Sequence, residues 1–85
     1  MENTTYQVRF NLLQQKIVDL NRNEFHKLCD IVINLSRLFS EIKDTELSEF
    51  FLPQFESIVS LLESKTQKTL ENIITDLTKN YVPSY

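Results

Sequence analysis

The segment from residue 23 to residue 42 carries more apolar side chains than one helix face can hold. Six of them recur at alternating spacings of three and four, which places them on one face of an α-helix. This main stripe consists of Phe25, Leu28, Val32, Leu35, Phe39 and Ile42. Ile31 and Leu38 form a second stripe beside it. Because so wide an apolar face needs neighbours on two sides, the segment predicts the central helix of a small bundle.

Three further segments have the apolar spacing of amphipathic helices. The stripe of the first consists of Tyr6, Phe10, Leu13, Ile17 and Leu20. The stripe of the next consists of Leu47, Phe51, Phe55, Ile58 and Leu62. The last consists of Leu70, Ile73, Ile74, Leu77 and Tyr81. The sequence therefore predicts an all-α fold, a small antiparallel bundle of three to four helices in one domain over residues 1–85, with flexible tails at 1–4 and 82–85.

Polar residues suggest where the first two helices begin. Thr4 or Thr5 can cap the first helix, because a threonine hydroxyl accepts a hydrogen bond from an unpaired backbone N–H. The apolar stripe changes phase at residues 21–23, which predicts a break there, and Asn23 is a favourable cap for the second helix.

Two positions leave the C-terminal half open to alternatives. Pro53 lacks a backbone donor, so we expect a kink or a short helix that ends near Phe51 or Leu52. Residues 64–67 match the capping-box pattern, with Ser64 followed three residues later by Gln67. A tight turn at residues 63–65 gives four helices, whereas one helix from Pro53 to about residue 80 would favour a coiled-coil assembly.

The composition favours a cytoplasmic protein without a cofactor. Glycine and alanine are both absent, and the single cysteine, Cys29, cannot form an internal disulfide. The first residues show no secretory signal pattern, and apolar runs do not exceed three residues. The abundance of Asn, Ile, Lys, Phe and Tyr indicates an AT-rich genome.

Residue types that carry out catalysis are few and scattered. His26 is the only histidine and lies three residues before Cys29, which permits proximity on one helix but provides no orienting group. We expect His26 to be a solvated surface residue and Cys29 to be buried and inert. Neither a zinc site nor a carboxylate metal site can be assembled from one histidine, and a phosphate-binding loop would need glycine. The sequence therefore predicts a protein that is not an enzyme.

Charge is divided unevenly along the chain. Residues 1–43 carry six basic and five acidic side chains, a net charge of +1, whereas residues 44–85 carry three basic and seven acidic, a net charge of −4. No Lys or Arg lies between Asp44 and Glu63. Nucleic acids and anionic membranes both require clustered basic residues. We therefore expect neither as a partner, and an acidic surface would suit a basic protein.

Two surfaces are candidates for interaction. Phe50 and Phe51 point about 100° apart on a helix, so either a wide core covers both rings or Phe50 faces outward as an aromatic contact within an acidic rim. In the second interpretation the partner-binding residues are Leu47, Glu49, Phe50, Leu52, Glu56 and Leu61. The second stripe of the central helix, Ile31 and Leu38, requires cover from a fourth helix or another chain, and is the candidate oligomer interface.

The predicted function is a small non-enzymatic protein–protein interaction module, of the kind that phages and plasmids use to inhibit or regulate a host protein. Two alternatives fit the same fold class. One is a structural subunit of a homo- or hetero-oligomeric helical, coiled-coil-like assembly, and the other is a helical bundle of the bacteriocin-immunity type. A cavity between helices, lined by Phe and Tyr, would instead indicate a small-molecule binder.

Overall fold

Four helices account for most of the chain in the computed structural model, which describes residues 2–21 and 24–81. In chain order they are α1 (Glu2–Val18), α2 (Phe25–Ile42), α3 (Leu47–Thr66) and α4 (Leu70–Tyr81). Over these described ranges the structure contains no strand, and the all-α prediction is confirmed. None of the helices in these ranges combines the length and hydropathy needed to cross a membrane.

Helices α1, α2 and α3 pack in an up-down-up arrangement. The guanidinium of Arg9 contacts Glu41, near the C-terminal end of α2. The amine of Lys16, later in α1, contacts Asp30, which is earlier in α2, so α1 and α2 run antiparallel. Gln7 and Gln54 exchange side-chain hydrogen bonds of 2.8 and 2.9 Å near the N-terminal end of α1. These polar contacts fix the register of α1 along one side of the α2–α3 pair.

The predicted stripes of α1 and α3 form most of the core. Phe10 stacks on Phe51 with ring centroids 5.0 Å apart and meets the edge of Phe55 at 4.8 Å. The remaining core positions of these segments are also buried; they are Leu13, Ile17, Leu20, Ile58 and Leu62. Aromatic pairs in these geometries add to the stability gained by burying the rings, so large side chains provide the close packing that glycine and alanine cannot.

Among the residues that the two stripes of α2 do not share, those of the second stripe are more deeply buried than those of the main stripe, which differs from the prediction. Ile31 and Leu38 are 0% and 1% exposed, whereas Phe39, of the main stripe, is 50% exposed. The reason is that α1 and α3 pack on the face that contains Ile31 and Leu38, with Leu35 and Ile42 shared between the stripes. Because the chain itself covers Ile31 and Leu38, the assignment of these residues to an oligomer interface is corrected: they are core residues.

The first two helix starts differ from the prediction in part. α1 begins at Glu2, so Thr4 and Thr5 lie inside the helix instead of capping it, and residues 2–4 belong to α1 and do not form a tail. The predicted break before α2 is confirmed, while the proposed cap Asn23 lies outside the described residues, as do residues 82–85. Glu24, the last residue before α2, accepts the backbone N–H of Asn21 at 2.9 Å.

Pro53 lies inside α3 without dividing it. The prediction that a helix ends near Phe51 or Leu52 is therefore wrong. A proline within a helix costs about 3 kcal/mol, because it removes a backbone hydrogen bond and crowds the preceding turn. Phe51 and Phe55, on either side of the proline, are both buried, and burying each ring contributes about 1.5–3 kcal/mol. Tertiary packing thus offsets the local preference.

The predicted break between α3 and α4 is confirmed, but it occupies residues 67–69 instead of 63–65. α3 ends at Thr66, and the next residue, Gln67, lies in the left-handed region at φ 58° and ψ 31°, a conformation that costs a non-glycine residue about 1–2 kcal/mol. Ser64 is still helical and does not form the capping box. Instead, Thr69 Oγ1 accepts the N–H of Asn72 at 3.2 Å, and Glu63 Oε2 accepts the N–H of Leu70 at 2.7 Å.

Helix α4 crosses the α2–α3 pair on the side away from the α1 contacts. It starts beside α3, where Glu63 holds its first N–H, and it reaches α2, where Leu77 and Thr78 line a shallow cleft with Cys29 and Ile33. Ile73 and Leu77 are its buried residues. With 12 residues, against 18 in α2 and 20 in α3, α4 covers only part of that side.

Candidate docking groove

An open groove of about 720 Å³ lies between α2 and α3, beyond the part of their surface that α4 covers. Its lining residues come from α2, from α3 and from the neighbouring end of α4. They are Val32, Leu35, Ser36, Phe39 and Ser40 of α2, Phe55, Glu56, Val59 and Ser60 of α3, and Leu70 and Ile74 of α4. We refer to this set as the docking groove.

The docking groove has an apolar floor and partly polar edges. Leu35 and Phe55 are buried and belong to the core, so they form the floor. Phe39 stands over Phe55, with ring centroids 5.4 Å apart and an angle of 79° between the rings, and it remains 50% exposed. A large aromatic side chain left half in water beside an apolar floor is typical of a surface that contacts another molecule.

Helix α4 closes one end of the docking groove. Leu70 and Ile74 line that end, and Ile74 is 45% exposed. Ile74 also lines the shallow cleft with Cys29 and Ile33 on the far side of α4. Ile74 therefore belongs to apolar surface on both sides of α4.

The α3 edge of the docking groove is acidic. Among the described residues that line the groove, Glu56 is the charged one. Glu49 and Leu52 precede it by seven and four residues, which puts all three on one flank of α3, and Leu52 is 50% exposed. Within the part of the chain that the structure describes, Glu49 and Glu56 have no hydrogen-bond or ion-pair partner.

Carboxylates on the α1 side are paired instead. Arg9 donates two hydrogen bonds to Glu41, at 2.8 and 3.0 Å, and Lys16 donates one to Asp30 at 2.8 Å. These hydrogen bonds hold the pKa of Glu41 and of Asp30 below its ordinary value. The same contact with Glu41 raises the pKa of Arg9. Glu41 and Asp30 are thus compensated within the chain, unlike Glu49 and Glu56 on the groove flank.

The residues predicted to bind a partner fall on two different flanks of α3. Phe50 is 61% exposed, so the prediction that a core covers both rings is wrong and the outward interpretation of Phe50 holds. Leu52, however, lies about 200° further around the helix. The groove flank contains Glu49, Leu52 and Glu56, while Leu47, Phe50 and Leu61 lie toward the flank that faces α1. The structure therefore does not bring the six residues together in one site.

Several groove residues are not predicted as contact residues by the sequence. The apolar spacing places Phe39 and Val32 in the core stripe of α2, and it does not indicate Val59 or Ile74 as contact residues. One signal was available in the sequence: Ser36 and Ser40 share a flank of α2 with Phe39, which is unusual for the centre of a core. That signal does not identify which neighbouring helix leaves the flank open.

The described side chains form no set suited to metal binding or catalysis. His26 is exposed, as expected, and Cys29 is buried under α4, as expected. In residues 2–21 and 24–81 no three His, Cys, Asp or Glu side chains are grouped closely enough to hold a metal ion. The docking groove contains hydroxyls and one carboxylate but no histidine, cysteine or lysine, so its chemistry is that of contact and hydrogen bonding.

Comparison of the chain with protein-family models, with curated proteins and with solved structures gave no match. The groove and its charges are therefore the basis for a functional proposal.

Proposed function

We propose that the protein is a non-enzymatic protein–protein interaction module that binds a segment of a partner protein in the docking groove. The observation that supports this proposal is the groove itself: an open apolar channel with Phe39 and Ile74 about half exposed at its walls. Binding in such a channel removes these side chains from water and gains about 25 cal/mol for each Å² of apolar surface buried.

The composition of the groove favours a macromolecular partner. Ser36, Ser40 and Ser60 line it beside the apolar residues and can form hydrogen bonds around a buried apolar centre, which is the usual arrangement in protein interfaces. The channel is open along its length, so it suits a chain segment that enters from the side. A compact small molecule would need a more enclosed site to bury most of its surface.

We also propose that occupancy of the groove regulates the partner, in the manner of a phage- or plasmid-type inhibitor. The absence of a metal-binding or catalytic set among the described residues supports a role in which binding alone produces the effect. Regulation would then follow from masking the partner segment that docks in the groove.

The proposal can be tested with two aromatic substitutions of similar exposure. Phe39→Ser alters the docking groove, whereas Phe50→Ser alters the flank toward α1 and serves as the matched control. We expect affinity capture from extracts of the source organism, followed by mass spectrometry, to recover a partner with the unmodified protein and with Phe50→Ser, and to lose it with Phe39→Ser.

Circular dichroism of both variants checks that the helices persist. Loss of the partner with Phe50→Ser but not with Phe39→Ser would move the binding site to the other flank of α3. Recovery of the same partner with both variants would contradict the proposal. Light scattering of the unmodified protein separates docking of a different protein from self-association as a structural subunit.

A further inference from the structure

We propose that the docking groove receives a basic amphipathic helix, with apolar side chains on the groove floor and Lys or Arg residues along the α3 edge. This inference rests on the proposed function, because it specifies the chemistry of the partner segment. It follows from two independent features, the shape that α4 leaves open and the charges that the chain leaves unpaired.

The shape indicates a helix. α4 already packs on this side of the α2–α3 pair as a short amphipathic helix, through apolar residues spaced at i, i+3 and i+7. These residues are Leu70, Ile73 and Leu77, while Ile74 lines the groove and is 45% exposed. The groove continues past Ile74 along α2 from Val32 to Ser40, a distance of about 12 Å, or roughly two turns. A second amphipathic helix can therefore pack beyond α4 in the same manner.

The charges indicate that this helix is basic. Glu56 lines the groove, and Glu49 lies about two turns away on the same flank. Neither has a partner among the described residues, whereas Glu41 and Asp30 on the α1 side are both paired. No Lys or Arg lies between residues 44 and 63. A Lys or Arg on the docking helix would thus meet uncompensated negative charge, which increases both the rate and the selectivity of association.

The same charges argue against a second copy of the chain as the occupant. In a symmetric dimer the same surface contacts itself. Pairing two docking grooves would therefore bring the Glu49–Glu56 flank of one copy close to that of the other. Like charges in such an interface oppose association, so an external basic helix fits the groove better than self-association does.

Three designed peptides provide the test. The first is a hydrocarbon-stapled helix of about 14 residues with leucines at helical spacing and lysines on the flank that faces α3. The second has the same leucines with glutamates in place of the lysines. The third keeps the composition of the first but scrambles the positions of the leucines. Calorimetry measures affinity, and NMR of the labelled protein locates the contact.

We expect the lysine peptide to bind and to shift the resonances of Phe39, Val59 and Ile74. The glutamate peptide should bind at least tenfold more weakly, because it brings like charges to the α3 edge. Glu56→Lys should weaken binding of the lysine peptide about two- to fivefold, in line with the loss of one exposed ion pair. Asp19→Lys makes the same change of net charge just after the end of α1, and it should change the affinity less than twofold.

Four outcomes would overturn the inference. They are equal binding of the lysine and glutamate peptides, equal binding of the scrambled peptide, contact away from the docking groove, and a concentration-dependent dimer that buries the groove in the absence of peptide. If the lysine peptide fails while Phe39→Ser still abolishes capture of a cellular partner, the helix inference is wrong and the docking function stands. If capture also does not depend on Phe39, both proposals fail.

Discussion

The two sides of the α2–α3 pair differ in how completely the chain satisfies its own surface. On the α1 side, Lys16 binds Asp30, Arg9 binds Glu41, and Phe10 stacks on Phe51. On the groove side, Phe39 and Ile74 remain about half exposed, and the Glu49 and Glu56 carboxylates have no partner within the described residues. The ion pairs and the stacked rings thus lie on the α1 side, while the groove keeps apolar surface and negative charge available to another molecule.

The largest expected effect comes from deleting matched aromatic rings on the two sides. Phe51→Ala removes a fully buried ring that stacks on Phe10, and should lower the free energy of unfolding by about 3–5 kcal/mol. Phe39→Ala removes a half-exposed ring of the groove, and should cost about 1 kcal/mol. Urea denaturation followed by circular dichroism measures both. Equal losses would contradict the distinction between the two sides.

A second prediction concerns the stability of α4 relative to the rest of the bundle. Ile17 and Ile73 are both buried, in α1 and α4 respectively, and we expect either alanine substitution to cost about 2 kcal/mol or more. Because α4 is short and Gln67 is held in the left-handed region, Ile73→Ala should also let α4 open without unfolding α1–α3.

Alkylation of Cys29 reports this opening, since the thiol is buried beside α4. In the absence of denaturant we expect the Cys29 thiol to react at least several-fold faster in Ile73→Ala than in Ile17→Ala at equal global stability. If the reaction rate follows global stability alone in both variants, α4 is not a separate opening unit.

The smallest expected effect is electrostatic. The hydrogen bond from Lys16 holds the pKa of Asp30 below its unfolded value, so the pair stabilises the fold above that unfolded pKa, about 3.9. The contribution is lost as the pH falls through the lowered pKa of the folded state. Because both side chains are about half exposed, we expect Lys16→Met to cost only a few tenths of a kcal/mol near pH 7 and nothing near pH 2.

Glu56→Gln is the matched control on the groove side. Since Glu56 has no partner among the described residues, this variant should match the stability of the unmodified protein to within a few tenths of a kcal/mol at both pH values. Urea denaturation at the two pH values measures the difference. A pH-dependent loss in Glu56→Gln as large as that in Lys16→Met would show that the groove flank is compensated after all.

Much of the fold could be predicted because apolar spacing is a local property. The stripe of α1 and the stripe of α3 identified their buried faces from the sequence alone. Helix termini were less predictable. Thr5 can equally well cap a helix or lie inside one, and Pro53 disfavours helix locally yet is retained in α3, because the flanking phenylalanines gain more from burial than the backbone loses.

The candidate site was predictable only in part. The sequence placed Glu49, Leu52 and Glu56 in an acidic stretch, and Phe50 faces outward in one of its two interpretations. Sequence reasoning assigned Phe50 and the three flank residues to one surface because all four lie within eight positions of the chain. Phe39 was not recognised as a groove residue, because it fits the regular spacing of a core stripe.

Composition and periodicity by themselves determined that this chain forms a helical bundle with an acidic C-terminal half. Each of those properties depends on residues within one helix. The tertiary structure decided which stripe of α2 enters the core and which remains open, since the positions of α1, α3 and α4 around α2 fix that choice. Ile31 and Leu38 are buried and Phe39 is exposed because the neighbouring helices pack on one side of α2 and α4 is too short to cover the other.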